Sequence, residues 1–586
     1  MTVFDILSLL CGLALFLYGM DLMSDSLKRS AGTKLKTILG KMTSNPLRGF
    51  ILGMIVTVVI QSSSATTVMV VGFVNSGTMT LLQSVGVTLG ANLGTAVTSW
   101  ITGLSGIEAA GALEWLKPSA WMPILAVIGI ILIMFVRRGK RRDIGYILLG
   151  FSILMVGMDM MSASVSGLQD SEGFRTLLTM FENPLLGVLA GCLVAGTIQA
   201  SAASIGILQS LTVTGAITYG TAIPIVMGIN IGTCVTAMIS SVGANKNGRR
   251  AALVHLYFNI FGTVIWLAVI TVLNAIFRFG FMSETVNMWG VAGIHTVFKI
   301  LSLLALAPFY KQLAKLACLT IRDGKEEQNE TVNLLDERLL STPTMAVERA
   351  MEVTVAMADI AVGGLRQSLP LLDTYDPKVA EQVRNLEEKC DNYEDALGTY
   401  LVKLSSCSMS ESDTRTVTKL LHLIGDFERI SDHSVNIVES AEEMQEKKIV
   451  FSEEATRELT VIRAALDKIL VMAKDAFVKN DLRLAAAVEP LEQVVDDLRD
   501  QIKSNHIVRL QKSECTIEHG FILSDLLTNF ERVSDHCSNI AGCVIEIGEH
   551  DALDLHHYTN DIKHDNEQFA KQYRQFKEEY SIEKTA

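Results

Sequence analysis

Nine apolar runs dominate the first part of the chain, at about 4–23, 49–74, 78–101, 121–136, 144–162, 185–211, 216–241, 252–276 and 290–309. Each approaches or exceeds the length a helix needs to cross bilayer hydrocarbon, so a polytopic membrane region is predicted. From about residue 345 the pattern changes. Apolar residues recur at helical spacing with charged residues on the opposite faces, the mark of amphipathic helices in a soluble bundle. The polar stretches "RDGKEEQNE" and "LLSTPT" between them read as a linker over 321–344, and 551–586 as a charged tail. The first run lacks a basic leader and a small-residue cleavage site, so it is expected to be a retained span.

Polar residues interrupt this pattern in two places. "QSSS" at 61–64 and "QASAAS" at 199–204 sit inside membrane-length runs, where lipid offers no hydrogen-bond partner. Loop charge shows why. Residues 24–48, "RRGKRRD" at 137–143, "NKNGRR" at 245–250 and the stretch from Lys311 are basic, whereas the alternate loops carry one Lys or Arg each. Basic loops stay inside, so the amino terminus is expected outside and the carboxy-terminal half in the cytoplasm. The runs at 49–74 and 78–101 separate an inside loop from an outside one, which two full spans cannot do. The run broken by "QSSS" should therefore enter and leave by one face as a re-entrant hairpin, and 185–211 likewise.

The two interruptions belong to a duplication. Residues 12–95 align with 150–233 at a constant offset of 138: "YGMDLMS" with "VGMDMMS", "NPLRG" with "NPLLG", Gln61 with Gln199, Ser63 with Ser201 and "GANLGT" with "GINIGT". Three spans and one hairpin per copy invert the second copy, so the two tips approach the midplane from opposite sides, the plan of many secondary transporters. Broken helices there offer amide donors at their N-termini, suited to an oxyanion. Ser62, Ser63, Ser64, Ser201 and Ser204 add hydroxyls. Gln61, Gln199, Asn92, Asn230, Thr95 and Thr233 supply neutral oxygens for a small hard cation.

Residues 1 to about 310 thus resemble the type II sodium/phosphate cotransporter family, whose mark is a QSSS motif in each of two inverted repeats. The resemblance implies sodium-coupled transport of inorganic phosphate, with Gln61, Ser62, Ser63, Ser64, Gln199 and Ser201 in the signatures. Ala200 and Ala202 depart from the pattern in the second copy. Asp21 and Asp159 match across the repeat but stand at span ends, where a hydrated anchor suffices. His295 and Lys299 lie halfway along the last span, where charge is costly and usually functional.

The second half is duplicated too. "FERISDHSVNI" at 427 resembles "FERVSDHCSNI" at 530, and "EEKCD" ending at Asp391 pairs with "EQVVD" ending at Asp496. Glu387/Asp391, Glu428/Asp432, Glu492/Asp496 and Glu531/Asp535 are E-x-x-x-D pairs, each on one helix face. Facing helices would gather four carboxylates per copy into a metal site; His433 and His536 point off that face. Region 345–550 resembles the PhoU family, which implies tandem three-helix bundles, a divalent or iron cluster, and control of phosphate uptake and signalling.

Charge follows the same division. Residues 1–325 carry 22 Lys and Arg against 12 Asp and Glu, and the remainder 28 against 51. An acidic soluble half disfavours nucleic acid as a partner. Nine cysteines without regular spacing argue for a reducing compartment rather than a disulfide framework. The expected architecture is all-α: a first membrane repeat at 1–138, a second with the final spans at 139–320, the linker, the soluble bundles at 345–550 and the tail. The expected function is a plasma-membrane sodium/phosphate symporter regulated in cis, with export or turnover-free sensing as alternatives. Its partners would be phosphate, sodium, lipid, and either a second copy or phosphate-signalling proteins. No nucleophile stands beside the carboxylates, so an enzyme is not expected.

Overall fold

The computed structural model describes residues 3–42, 46–107, 118–136, 139–170, 180–181, 183–322, 335–549 and 567–582. Among these residues the chain is helical, with one isolated β-bridge, Thr218 to Thr285. It divides into two compact units, residues 1–346 with 408–411, and the rest.

The first unit comprises α1 (Val3–Met42), α2 (Pro46–Ile60), α3 (Ser63–Asn75), α4 (Leu81–Gly103), α5 (Pro118–Phe135) and α6 (Lys140–Ser166). There follow α7 (Pro184–Ile198), α8 (Ser201–Thr212), α9 (Tyr219–Gly232), α10 (Cys234–Ser240), α11 (Lys246–Phe277), α12 (Met288–Leu306) and α13 (Tyr310–Thr320). Among the described residues, five stretches are long and apolar enough to cross a membrane: Val3–Ser30, Lys140–Ser166, Tyr219–Ser240, Lys246–Phe277 and Met288–Thr320. Proline opens α2, α5 and α7, where its missing N–H costs nothing and its fixed φ favours a helical start. The basic stretch after residue 24 is not a loop, because α1 runs on through it to Met42.

Inversion of the repeat is visible in how α1 meets α6. A Cβ on Gly12 would lie 2.9 Å from the carbonyl oxygen of Gly157, and one on Gly19 2.6 Å from that of Gly150. Gly12 and Gly19 are the repeat counterparts of Gly150 and Gly157. The pairing is therefore reciprocal and antiparallel, as a twofold axis perpendicular to both helices requires. Within each copy the first hairpin arm presses on a neighbour in the same way. A Cβ on Gly53 would stand 2.0 Å from the Val87 carbonyl oxygen, and one on Gly191, its counterpart, 2.1 Å from that of Ile225. Such backbone approach is the usual substitute for a hydrophobic driving force inside a bilayer.

Part of the expected linker is built into this unit. Asp336 caps a 3₁₀ turn (Glu337–Ser341) and binds the Arg338 guanidinium at 2.9 Å. Asn75 at the end of α3 also holds it, its Nδ2 donating to Asp336 Oδ2 at 2.6 Å. Asn75 in turn accepts the Asn245 backbone N–H at 2.6 Å. Arg338 donates onward to the carbonyls of Ser240 (2.5 Å) and Val242 (2.9 Å). Leu339, fully buried, lies against Gly72 of α3. Residues 335–341 are thus a strap across the outer end of the first hairpin, and the chain passes straight from them into the soluble helices.

The second unit holds α14 (Pro343–Ser368), α15 (Pro377–Ser405) and α16 (Glu411–Lys447), then α17 (Glu453–Lys479), the short α18 (Leu482–Ala486), α19 (Val488–Gln511) and α20 (Ile517–Glu549). Its core includes the Phe427 and Phe477 rings, 5.4 Å apart. The two copies meet reciprocally: His433 Nδ1 lies 2.8 Å from Asn529 Oδ1, and His536 Nδ1 2.9 Å from Asp426 Oδ1. The tail carries a helix, α21 (Glu567–Glu579), held to α19 by Tyr573 and Lys577 on Asp497, at 2.5 and 2.7 Å.

Candidate functional site

Both signature sequences break their helices at the same residue. Gln61 and Gln199 each take φ of 57°, left-handed backbone that a non-glycine residue adopts only under local compulsion. The next residue, Ser62 or Ala200, is extended, and a new helix starts at Ser63 or Ser201. Arms of 15 and 13 residues in the first copy, and of 15 and 12 in the second, are about 18–23 Å long and too short to span. The first elbow folds back on itself: Thr57 Oγ1 donates to Thr66 Oγ1 at 3.0 Å, although nine residues of continuous helix would separate them by about 13 Å.

The break leaves backbone groups that the fold must satisfy. Ser24 of α1 donates to the freed carbonyl of Ile60 at 2.5 Å, and Thr98 of α4 donates to Gln61 Oε1 at 3.0 Å. The second copy repeats the plan more loosely. Thr236, the counterpart of Thr98, donates to the Gln199 carbonyl at 3.5 Å, and the Oγ of Ser162, counterpart of Ser24, has no partner. Ser62 accepts the Ala65 N–H, whereas Ala200 offers α8 no side-chain cap. The N-terminal amides of α8 therefore have more capacity for an external anion than those of α3. Burial differs as well. Gln61 and Ser63 are buried and Ser62 and Ser64 half-buried, while Gln199 is exposed, Ser201 half-buried and Ser204 buried.

The carboxamide and threonine pairs lie on matching turns. Thr95 donates to the Asn92 carbonyl at 2.7 Å, and Thr233 to that of Asn230 at 3.0 Å. All four are buried. The uninterrupted α4 corresponds to two helices in the second copy, α9 and α10, which part at Thr233. Asn92 is tied on both sides, donating to Asn259 Oδ1 at 3.0 Å and accepting from the Lys299 ammonium. Lys299 thus has a carboxamide partner, and His295 Nδ1 lies 3.1 Å from Ser99 Oγ. Gln209 of α8 joins the copies: it accepts from Thr102 at 2.6 Å and donates to the carbonyls of Ser99 (3.0 Å) and Met288 (3.1 Å). Ser24, Thr98, Gln209 and Asn259 escaped the sequence reading. Gln209 and Asn259 each carried a signal, as a carboxamide in an apolar run.

In the soluble unit the carboxylates gather unequally. Oxygens of Glu387, Asp391 and Asp432 lie within 4.8 Å of one another. Burial, then Asp432 beside it, pushes the Glu428 carboxyl up to about 7; Glu387 is raised by burial and by Asp391 and Asp432. Such crowding suits a multivalent cation, which would relieve the repulsion. In the second copy Arg499 lies among the acids, 3.4 Å from Asp496 and bonded to Glu531, with Glu492 and Asp535 alongside in sequence. Aligning Asp391 with Asp496 puts Glu394 where Arg499 stands; the first set is met by Arg429, 3.5 Å from both Glu428 and Asp432, and the second carries Arg499 on Asp496 and Glu531. His433 and His536, bonded across the interface between copies, lie apart from this cluster.

Comparison with known proteins follows this division. The Na+/Pi-cotransporter family matches residues 15–163 and 153–290, and the PhoU domain matches 354–441 and 463–544. YjbB of Escherichia coli K12, named for inorganic phosphate export, is 25% identical over 560 residues, covering 93% of this chain and 98% of its own. Human sodium-dependent phosphate transport protein 2B is 37% identical over 137 residues, 22% of this chain and 19% of its own. A PhoU homologue of Thermotoga maritima is 30% identical over 133 residues, 23% of this chain and 56% of its own. No solved structure matches the chain significantly.

Proposed function

From a chain whose first half belongs to the Na+/Pi-cotransporter family and whose second half is made of PhoU domains, we propose a sodium-coupled carrier of inorganic phosphate controlled in cis. That it is a phosphate-transport protein, and not an enzyme, follows from the families. The sodium coupling, the residues and the regulation are our reading. One observation carries it: two inverted elbows, broken at Gln61 and Gln199 and bearing unequal demands for capping, set helix N-termini and hydroxyls inside an apolar unit.

Phosphate would bind between the tips through Gln61, Ser62, Ser63, Ser64, Gln199, Ser201 and Ser204, with amide donors foremost. Sodium would take oxygens of Gln61, Asn92, Thr95, Gln199, Asn230 and Thr233. Hydrogen-bond donors without fixed charge favour release as well as capture. Gln61 buried at the first tip and Gln199 exposed at the second fit a state open on one side, and a rocking of the hairpins would exchange the two.

The Lys- and Arg-rich stretches support a plasma-membrane protein with its second unit in the cytoplasm. There the acidic cluster of Glu387, Asp391, Glu428 and Asp432 would hold a divalent or iron centre. The Glu492, Asp496, Glu531 and Asp535 set would stay closed by Arg499.

Flux of labelled phosphate into proteoliposomes, with and without an inward sodium gradient, tests the proposal. Gln61→Ala and Ser63→Ala should each abolish flux in a folded protein; wild-type flux in both removes the site. A second reading, net export, is favoured by the likeness to YjbB over 93% of this chain. It predicts phosphate efflux from cells with little accumulation.

A further inference from the structure

Two helices outside the duplicated hairpins carry the same short pattern. "HLYFN" places His255 and Asn259 one turn apart on α11, and "HTVFK" places His295 and Lys299 one turn apart on α12. Both patterns end on Asn92. Its amide nitrogen donates to Asn259 and its oxygen accepts from Lys299. Lys299 is 6% exposed, and no carboxylate among the described residues pairs with it. The titratable groups around it are Cys234, His255 and His295. His255 Nδ1 and His295 Nε2 are buried without hydrogen-bond partners, so neither ring spends all its capacity on the protein.

An ammonium at membrane depth is costly and is retained where it serves the transported charge. Here it donates to the side-chain oxygen of Asn92, one of the two carboxamides assigned to sodium in the first copy. The second copy has no such occupant: Asn230 Nδ2 turns back to the Val226 carbonyl at 2.7 Å. Two monovalent cations on one carboxamide oxygen would repel strongly in a medium of low dielectric. We propose that Lys299 is a tethered cation that takes the place of one coupling sodium ion at Asn92, leaving sodium to the Asn230 side alone.

The inference rests on the reading of Asn92 and Asn230 as cation sites and deepens it. A charge fixed to the protein returns with the empty carrier and is not delivered. Each phosphate would therefore travel with one sodium ion fewer than two equal copies would bind.

The test is the ratio of ²²Na to ³²P entering proteoliposomes of the full chain, wild type against Lys299→Asn, which makes the second pattern match the first. The expected result is a ratio higher by one sodium ion, with a steeper dependence of flux on sodium. An unchanged ratio with intact flux overturns the proposal. So does a loss of phosphate affinity at unchanged ratio, which would put the lysine on the anion. Should Lys299→Asn fail to fold, equilibrium ²²Na binding to Asn230→Ala decides: binding should vanish, and persistence overturns the proposal. Absence of sodium-driven flux in the wild type would defeat the transport reading alone, because sodium binding still counts the sites.

Discussion

Asp336→Asn is the sharpest probe of the strap. The carboxylate is 4% exposed and holds Asn75 at 2.6 Å and the Arg338 guanidinium at 2.9 and 3.1 Å. Hydrogen bonds to charged groups are worth about 1.5–3 kcal/mol each, against about 1 kcal/mol for neutral ones. The asparagine keeps the shape and one acceptor but loses the charge. The strap should then weaken by roughly 2–3 kcal/mol, a shift of about 30- to 150-fold between docked and released forms. Hydrogen exchange reads this directly, since the Leu339 and Thr342 amides bond within the turn at 3.0 and 2.8 Å. Peptides covering 336–342 should exchange faster by that factor, and those covering the α1–α6 contact should not change. Unchanged exchange at 336–342 would show that the ion pair does not fasten the strap.

Other expectations follow from single contacts. Gly90→Ala puts a methyl group 1.9 Å from the Phe50 carbonyl oxygen, and overpacking against backbone should cost about 1–3 kcal/mol or more. Gly293→Ala, with open space around its Cβ, should be neutral or slightly stabilising, and thermal unfolding in detergent compares the two. Removing the arginine that closes the second carboxylate set, by Arg499→Ala, should raise bound metal by one ion per chain in elemental analysis, and Glu394→Arg should lower it; no change in either contradicts the asymmetry. Glu428 is raised from 4.5 to about 7 mainly by burial, so folding disfavours its ionised form. Its contribution should lower stability as pH climbs from about 4.5 to about 7 and level off above. Glu428→Gln should flatten that slope in the metal-free protein, and a slope identical to wild type would exclude this carboxyl as its source.

How much could be read in advance depended on the kind of signal. The elbows at Gln61 and Gln199 were legible because polar side chains in an apolar run need protein around them, and because the offset of 138 exposed each one twice. The all-helical fold followed from the spacing of apolar residues. The basic stretch after residue 24 misled, since charge alone does not end a helix and α1 continues to Met42. The stretch 335–341 read as linker because a short polar segment carries no periodicity. Only its contacts with Asn75, Ser240 and Val242 reveal it as a strap.

By itself the sequence determined the duplications, the inversion, the division into an apolar and an acidic half, and the residue types at the tips. These are local or periodic properties, written into composition and spacing. The tertiary structure decided which members of each matched pair are equivalent. Ser24 satisfies Ile60 while Ser162 has no partner; Lys299 finds Asn92; Arg499 bonds Glu531 in one carboxylate set, while Arg429 meets Glu428 and Asp432 in the other. Such choices depend on which side chains from distant segments arrive at one point, and a carboxamide or carboxylate acquires its role only from the neighbour that meets it.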